Sequence, residues 1–345
     1  MLSKNIKKVL KIIKLFLEKL SIFIEKWDKK FYTIKCIQHF RIIKIIFNYI
    51  DFIWIWIKCR RKNMLVFLYT EYSLHIYLSQ LFTFYKNLYF FGGGVFAYAM
   101  MKKGGFMRKI DIHSHILPGF DDGATDERES IRMLKMAARQ GIESVIATPH
   151  YSAEHVNYRP QDIRRACASL EQRARKEISP DFHIYPGQEI LYTQEIFEHL
   201  ECGKIQTMAD SSYTLIEFMP WIPYSELYRC VRTLVMRGYQ PILAHIERYE
   251  VLREKCRIEE LTEMGALMQM NYRRIDGKWY EETTRWCRKM LREGKIHFLA
   301  TDMHNTKTRK PMTDGAEVWL KKHLEKQYIA EICYKNARKI IKQQR

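Results

Sequence analysis

Histidine or carboxylate side chains occur in six short stretches of this chain, each beside a hydrophobic run of strand character. The stretches are residues 111–115, 148–150, 187–190, 215–218, 243–248 and 301–304. None of these stretches contains cysteine. Histidine and carboxylate without cysteine form the ligand set of Zn, Mn or Fe ions that activate water. The pattern therefore predicts a metallohydrolase.

Alternation along an extended strand places several of these side chains on one side. Asp111, His113 and His115 would face the same way, so two imidazoles converge on one ion. We expect Asp111 to orient a histidine through the ring nitrogen that does not bind metal. The same two-residue spacing separates Asp302 from His304 and His245 from Glu247.

Two glutamates in apolar surroundings point to a compensating cation. Glu217 is flanked by leucine, isoleucine and phenylalanine, and Glu189 precedes another apolar residue. A carboxylate buried in this way carries a large desolvation cost unless a cation lies close to it. We predict that Glu217 bridges two metal ions; the alternative for either glutamate is a buried pair with arginine. The turn that contains Asp121 and Asp122 is predicted to place one more carboxylate at the site.

Two arginines follow proposed ligands closely and are predicted to bind phosphate. Arg248 comes three residues after His245, and Arg309 comes five residues after His304. Guanidinium groups bind phosphate oxygens through paired hydrogen bonds. The alternative is an ordinary exposed arginine, since such residues are common on protein surfaces.

The eight cysteines predict neither a disulfide framework nor a catalytic thiol. They include no C-x-x-C pair, which fits free thiols in a reducing compartment and a cytoplasmic location. Cys167 and Arg173 have the spacing of cysteine-dependent phosphatases, but no glycine lies between them and the segment is strongly helical. A helix interior cannot direct several backbone N–H groups at a phosphate. We therefore exclude catalysis by Cys167.

Strand and helix patterns alternate after residue 106. Seven runs rich in Val, Ile and Leu are predicted strands, at residues 109–113, 144–148, 182–185, 213–218, 241–244, 266–270 and 296–301. Amphipathic helices are predicted at residues 130–140, 162–176 and 224–237. This α/β alternation, over a length of about 250 residues, favours a TIM-like (β/α) barrel of about seven strands over an open sheet. Such folds place their chemistry at the carboxyl ends of the strands.

Residues 1–106 differ from the rest of the chain. They hold 19 Lys and Arg against 5 Asp and Glu, whereas residues 107–345 hold 39 against 34. We expect this basic, apolar leader to be translated upstream DNA, with the natural start at Met107; the alternative is a membrane-associated segment. The modest charge of residues 107–345 suits a small anionic group better than a nucleic acid.

The motifs resemble those of the polymerase and histidinol phosphatase (PHP) superfamily. More narrowly, they resemble those of the bacterial manganese-dependent tyrosine-protein phosphatases found with capsule and exopolysaccharide genes. The matching pieces are DIHSHILPGFDDGA at 111–124, ATPH at 147–150, GQEI at 187–190, LIEF at 215–218, AHIERY at 244–249 and TDMHN at 301–305. The resemblance covers essentially all of residues 107–345 and none of the leader.

The resemblance implies a distorted barrel, the PHP fold, that holds a cluster of three metal ions. The implied ligands are His113, His115, Asp122, His150, Glu189, Glu217, His245, Asp302 and His304. The implied metal is Mn²⁺, with Fe, Zn or Mg as alternatives, and Arg248 and Arg309 would hold the substrate phosphate. The implied activity is phosphotyrosine hydrolysis, on a tyrosine autokinase that controls polysaccharide export. The alternatives are a small-molecule phosphatase of the histidinol-phosphatase type and a non-catalytic, membrane-tethered regulator that binds phosphotyrosine.

Overall fold

A computed structural model describes residues 107–154 and 158–343, and the leader lies outside this part of the chain. The described residues form nine strands, several of them short. These are β1 Lys109–Ser114, β2 Ile142–Ala147, β3 His150–Tyr151, β4 His183–Pro186, β5 Glu189–Leu191, β6 Tyr213–Glu217, β7 Gln240–Leu243, β8 Leu267–Asn271 and β9 Phe298–Ala300.

Helices follow most of the strands along the chain. They are α1 Glu127–Arg139, α2 Pro160–Glu177, α3 Ile196–Glu201, α4 Tyr224–Met236, α5 Arg257–Met264, α6 Tyr272–Ile275, α7 Glu282–Arg292, α8 Asp314–His323, α9 Lys326–Ala330 and α10 Asn336–Lys342. A π-helical turn, Glu331–Lys335, connects α9 to α10. Within residues 107–154 and 158–343, no helix has the length and apolar character needed to cross a bilayer.

All strand pairings within the two sheets are parallel. One sheet has the order β1-β2-β4, and the other has the order β3-β5-β6-β7-β8-β9. The segment after β9 returns to β1, where Asp302 N donates to His113 O at 3.0 Å and His115 N donates to Met303 O at 2.9 Å. The sheet therefore curls, and the predicted mixed α/β architecture with a parallel sheet is confirmed.

Each of the seven predicted strands overlaps one observed strand, with ends that differ by up to two residues. The two further strands, β3 and β5, have two and three residues. These lengths are too short for an apolar run or an alternation to be recognised in the sequence. Both matter for the site, because β3 begins at His150 and β5 begins at Glu189.

The helices begin and pack as their sequences require. Asp126 caps α1 by accepting a hydrogen bond from Glu129 N at 2.8 Å, and Pro160 occupies the first position of α2, where its missing N–H costs nothing. Ile131 and Leu134 of α1 lie three residues apart on the apolar face and are buried. The helices thus cover strands whose side chains are buried on both faces, as is usual in parallel sheets.

An unpredicted ion pair fixes the start of β1. The side chain of Lys109 is fully buried, and its Nζ lies 2.5 Å from Glu317 Oε2 of α8 and 2.6 Å from Gln140 O. A lysine can be buried only when its charge is paired and its N–H groups are satisfied. This pair holds β1 in register at the end of the strand opposite to His113.

Candidate metal centre

The proposed ligands lie at or just after the carboxyl ends of the parallel strands, where such strands meet at one edge of the sheet. His113 and Glu217 lie near the carboxyl ends of β1 and β6. His150 and Glu189 each come three residues after the end of a strand, β2 and β4 respectively, and begin the short strands β3 and β5. The segments that follow β1, β7 and β9 carry His115, Asp122, His245, Asp302 and His304. The predicted placement is therefore observed for all nine residues.

Glu189 lies at the centre of the cluster and contacts four imidazoles. Its Oε2 is 3.1 Å from His113 Nε2, 3.2 Å from His115 Nε2 and 3.2 Å from His150 Nδ1. Its Oε1 is 2.8 Å from His245 Nε2. Burial alone would raise the pKa of Glu189, but the imidazoles outweigh burial and hold the pKa well below its usual value. The carboxylate is thus ionised and faces ring nitrogens from three other strand ends.

The remaining acids and His304 surround this centre. Asp302 Oδ1 is 3.7 Å from His113 Nε2 and 3.6 Å from His115 Nε2. Asp122 Oδ1 is 3.3 Å from His304 Nε2 and 3.4 Å from His150 Nε2.

Ligand atoms in the described residues form three overlapping groups, each within a spread of 4.8 Å. The groups are His115, Asp122, His150 and His304; His113, His115 and Glu189; and His150, Glu189 and Glu217. His115, His150 and Glu189 each belong to two groups, so the three groups adjoin one another. His245 and Asp302 lie beside these groups. His245 contacts Glu189, and Asp302 contacts His113 and His115.

The geometry of these atoms fits divalent metal ions. His113 Nε2 and His115 Nε2 lie 3.3 Å apart, and each is close to the same oxygen of Glu189. Ligand atoms held about 2.1 Å from a common ion lie roughly 3.4 Å from one another in a tetrahedral site.

His304 supplies an independent test of this fit. Its Nδ1 is 3.1 Å from the carbonyl oxygen of Asp302, which can only accept, so the ring proton resides on Nδ1. Its Nε2 is buried and has no hydrogen-bond partner among the described residues, although Asp122 Oδ1 is 3.3 Å away. Burial, together with the nearby His115, lowers the pKa of His304 to about 3. A neutral imidazole whose buried lone pair is unused is what a metal ligand requires.

Asp121 orients His115, a role that the sequence did not reveal. Asp121 Oδ2 is 2.7 Å from His115 Nδ1 and accepts from His150 N at 3.1 Å. Burial lowers the pKa of His115, but the hydrogen bonds to Asp121 and Glu189 outweigh it and raise the pKa to about 10. The turn folds this closely because Gly123 has no side chain; a Cβ there would lie 2.2 Å from His115 O.

Gln269 and Asn271 of β8 form a second orienting chain. Gln269 Oε1 accepts from His245 N at 2.7 Å and lies 3.1 Å from His113 Nδ1, so Nδ1 faces an acceptor and His113 Nε2 faces the cluster. Gln269 Nε2 donates to Asn271 Oδ1 at 2.9 Å, and Asn271 Nδ2 donates to Asp302 Oδ2 at 3.0 Å. Both side chains are buried. In the sequence, the one feature that could have marked them as site residues is their two-residue spacing at the end of a strand.

The prediction that Asp111 orients a histidine ring was wrong. Its carboxylate accepts from the backbone N–H groups of Thr301 at 3.0 Å and His113 at 3.3 Å, and from the Thr301 hydroxyl. Burial raises the pKa of Asp111 to about 6. Asp111 therefore connects β1 to the end of β9, and Gln269 takes the orienting role.

Two site residues have strained backbone conformations. His245 has φ 32° and Asp302 has φ 52°, both in the left-handed region that side chains other than glycine rarely adopt. Strand alternation does not extend to His245 and Glu247, because β7 ends at Leu243 and a turn begins at His245. Glu247 is buried and contacts Asn271 N at 3.4 Å, away from the cluster.

The two predicted arginines contact carboxylates of the cluster. Arg248 Nη1 is 3.2 Å from Glu217 Oε1, and its Nη2 is 2.9 Å from Asp302 Oδ2. Arg309 Nη2 is 2.8 Å from Asp302 Oδ1, and its Nη1 is 3.6 Å from Asp122. Glu217 is half-buried, with 19% of its side chain exposed, where the sequence predicted full burial. Glu217 pairs with Arg248, as in the alternative predicted for it, and its Oε1 also lies 3.2 Å from His245 Nε2.

The sequence matches one known family over residues 109–342, the family described as "Capsular polysaccharide synthesis, CpsB/CapC". The chain belongs to this family. It is 36% identical over 230 residues to the tyrosine-protein phosphatase YwqE of Bacillus subtilis, covering 65% of this chain and 87% of that protein. It is 34% identical over 242 residues to the tyrosine-protein phosphatase CpsB of Streptococcus pneumoniae, covering 68% of this chain and 99% of that protein.

A solved structure from the same family also matches. It belongs to work on YwqE and CpsB, described as "unique metal-dependent tyrosine phosphatases", and it superposes with a TM-score of 0.62 at 33% identity. The match covers 68% of this chain and 95% of that chain. The family predicted from the motifs is therefore confirmed.

Catalysis by Cys167 has no support in this member of the CpsB/CapC family. Cys167 lies in the interior of α2, and burial raises the pKa of its thiol far above the ordinary value. A buried, protonated thiol is a poor nucleophile. The exclusion made from the sequence agrees with this environment.

Replacing Gln269 with leucine is expected to weaken metal binding about 10- to 100-fold, because His113 loses the acceptor that fixes its ring. Titration of the protein with Mn²⁺ against a chromophoric chelator measures this affinity. Gln240→Leu is the matched control, since Gln240 lies at the opposite end of the neighbouring strand β7. Equal affinity in the two variants would show that Gln269 does not orient His113.

Proposed function

We propose that this member of the CpsB/CapC family is a metal-dependent protein-tyrosine phosphatase. The observation that carries the proposal is Glu189, whose carboxylate contacts four imidazoles while Arg248 and Arg309 contact the adjacent acids. A metal cluster bordered by guanidinium groups is suited to a phosphate monoester. The names of the curated relatives support the tyrosine specificity.

The nine residues predicted as ligands are those we propose to hold the metal, and the three overlapping groups support a three-metal cluster. Nitrogen and oxygen donors without sulfur suit Mn²⁺, with Fe, Zn and Mg as alternatives. Bound ions would activate water at neutral pH and neutralise charge on the phosphate oxygens.

The chain's own residues bind and orient the substrate. We assign Arg248 and Arg309 to the phosphate oxygens, because both guanidiniums lie at the cluster and are about one-third exposed, at 33% and 30%. Asp121 and Gln269 hold the rings of His115 and His113 in one orientation. A tyrosyl leaving group, with a pKa of about 10, needs less protonation than an alkyl alcohol, which favours an aryl phosphate.

The proposed substrate is a tyrosine-phosphorylated protein, and we place a bacterial tyrosine autokinase of capsule export first among the candidates. The family's association with capsular polysaccharide synthesis supports this choice. A small phosphomonoester such as histidinol phosphate is the second candidate. Faster turnover of the small ester than of a phosphotyrosyl peptide would reverse the order.

The test of the activity contrasts metal removal with thiol modification. We expect chelation to abolish hydrolysis of a phosphotyrosyl peptide and added Mn²⁺ to restore it, because the proposed chemistry depends on the cluster. Iodoacetamide should leave turnover unchanged, since no thiol takes part. A protein that binds the phosphopeptide at full metal occupancy without releasing phosphate would instead be a non-catalytic regulator. Activity that survives chelation and fails after alkylation would overturn the proposal.

Three broader assignments are also proposals. We assign residues 107–345 to a distorted barrel of the PHP type, supported by the return of the chain from β9 to β1. We keep residues 1–106 as a separate leader, whose presence an intact-mass measurement on native protein would decide. We propose a cytoplasmic location, supported by the six described cysteines, all of which are free thiols.

A further inference from the structure

A third arginine lies at the edge of the sheet that holds the cluster. Arg273 is in α6, which begins directly after β8. It comes two residues after Asn271, whose side chain donates to Asp302. Its position along the chain did not single it out, because it neither follows a histidine nor belongs to a motif.

The guanidinium of Arg273 lies against the loop that carries Arg309. Its Nη2 donates to Thr308 O at 3.1 Å. This loop is well defined, because Asn305 Oδ1 accepts from the backbone N–H groups of Thr308 at 2.8 Å and Arg309 at 3.1 Å. His304 N in turn donates to Arg309 O at 2.8 Å. Arg273 is therefore held beside one proposed phosphate-binding arginine.

Arg273 differs from the other two arginines in having no anionic partner. Arg248 and Arg309 each contact two carboxylates of the cluster. Among residues 107–154 and 158–343, no carboxylate lies within ion-pair distance of Arg273, although its side chain is half-buried. Burial lowers the pKa of Arg273; Asp302 opposes this effect, and the guanidiniums of Arg309, Arg274 and Arg248 add to it.

A half-buried, unpaired positive charge beside two further arginines is costly unless an anion neutralises it. The anion must carry considerable charge to suit three guanidiniums. A phosphate monoester supplies a charge of about −1.5 to −2 and three strong acceptor oxygens. An acidic side chain of a peptide supplies only one negative charge. It would therefore neutralise the three guanidiniums near Asp302 less well than a phosphate monoester.

We propose that Arg273 is a third substrate-binding guanidinium, which contacts the phosphoryl group together with Arg248 and Arg309. The inference rests on the proposed phosphatase function and adds a residue to its substrate site. One N–H of Arg273 holds the Arg309 loop through Thr308 O, and the remaining N–H groups bind phosphate oxygens.

Arg273→Gln tests this assignment, because glutamine removes the charge and the planar fork while keeping a polar side chain. We expect about a tenfold rise in both the KM for p-nitrophenyl phosphate and the inhibition constant for inorganic phosphate. Metal content and the thermal midpoint should stay at the wild-type values. Arg273→Lys should show an intermediate inhibition constant, since lysine restores the charge without the fork.

The neighbouring Arg274 provides a matched control. It is exposed, and its charge acts on Glu247 and Cys287 as well as on Arg273. Arg274→Gln removes the same charge. It should change the inhibition constant for phosphate less than twofold.

Three outcomes would overturn the assignment. Equal inhibition by phosphate in the two glutamine variants would do so. An effect confined to phosphopeptides with acidic neighbours would show that Arg273 contacts the peptide instead. A fall in metal content or thermal midpoint that accounts for the lost activity would make Arg273 a structural residue. Wild-type protein that neither hydrolyses p-nitrophenyl phosphate nor binds phosphate would instead refute the proposed function itself.

Discussion

Glu189→Gln is expected to reduce turnover of a phosphotyrosyl peptide at least about a thousandfold. Glutamine has nearly the same shape, but its amide group would present N–H donors to imidazole nitrogens that must offer lone pairs. Glu189 contacts four of these rings, so no neighbouring residue can compensate. The loss should therefore appear first in the number of metal ions bound and only as a consequence in the rate.

Elemental analysis of the purified variant, next to the peptide assay, separates these two quantities. Glu171→Gln is the matched control: Glu171 is half-buried, accepts a backbone hydrogen bond from Ile184 at 2.8 Å, and lies on α2 outside the cluster. We expect it to retain full metal content and turnover. Wild-type metal content and rate in Glu189→Gln would remove Glu189 from the centre of the site.

Arg248→Ala is expected to lower kcat/KM about 10²- to 10³-fold, because one donor to the charge on the phosphate is lost. Its ion pairs with Glu217 and Asp302 hold the guanidinium at the cluster, and Arg248 itself offers no atom that binds metal. Metal content should therefore remain close to that of the wild type. The loss should raise the inhibition constant for phosphate and leave the affinity for metal nearly unchanged.

Steady-state kinetics and metal analysis on the same preparation measure both effects. Arg237→Ala is the control, since Arg237 also pairs with a glutamate, Glu201, but lies at the end of α4 that precedes β7. That variant should leave kcat/KM unchanged. Metal loss in Arg248→Ala as large as in Glu189→Gln would contradict its assignment to the substrate.

The sequence predicted those parts of the site that depend on residue type and strand position. His113 and His115 could be identified because histidines that recur at the ends of several apolar strands favour a shared metal site over isolated core residues. The residues that orient these histidines could not be identified, because tertiary packing determines which side chains contact them. Gln269 contacts His113 across 156 positions of sequence, and nothing local to either residue indicates the pairing.

Local backbone conformation was the second feature of the site that could not be predicted from the sequence. Strand alternation predicted that Asp302 and His304 share a side. Both side chains reach the cluster, but from the segment after the end of β9, where Asp302 adopts a left-handed conformation. The same reasoning failed for His245 and Glu247, where the turn sends the glutamate away from the cluster. Periodicity describes regular strands, whereas these ligands lie on the irregular segments that follow them.

The backbone contact between Ser114 and Met303 joins the earliest and the latest segments of the site. A ribosome releases the chain from its N-terminal end, so His113 and His115 emerge long before Asp302 and His304. A nascent chain therefore lacks the complete cluster until nearly all of the domain has been translated. Premature termination before residue 301 should yield a product that is catalytically silent, and phosphatase activity should be confined to finished molecules.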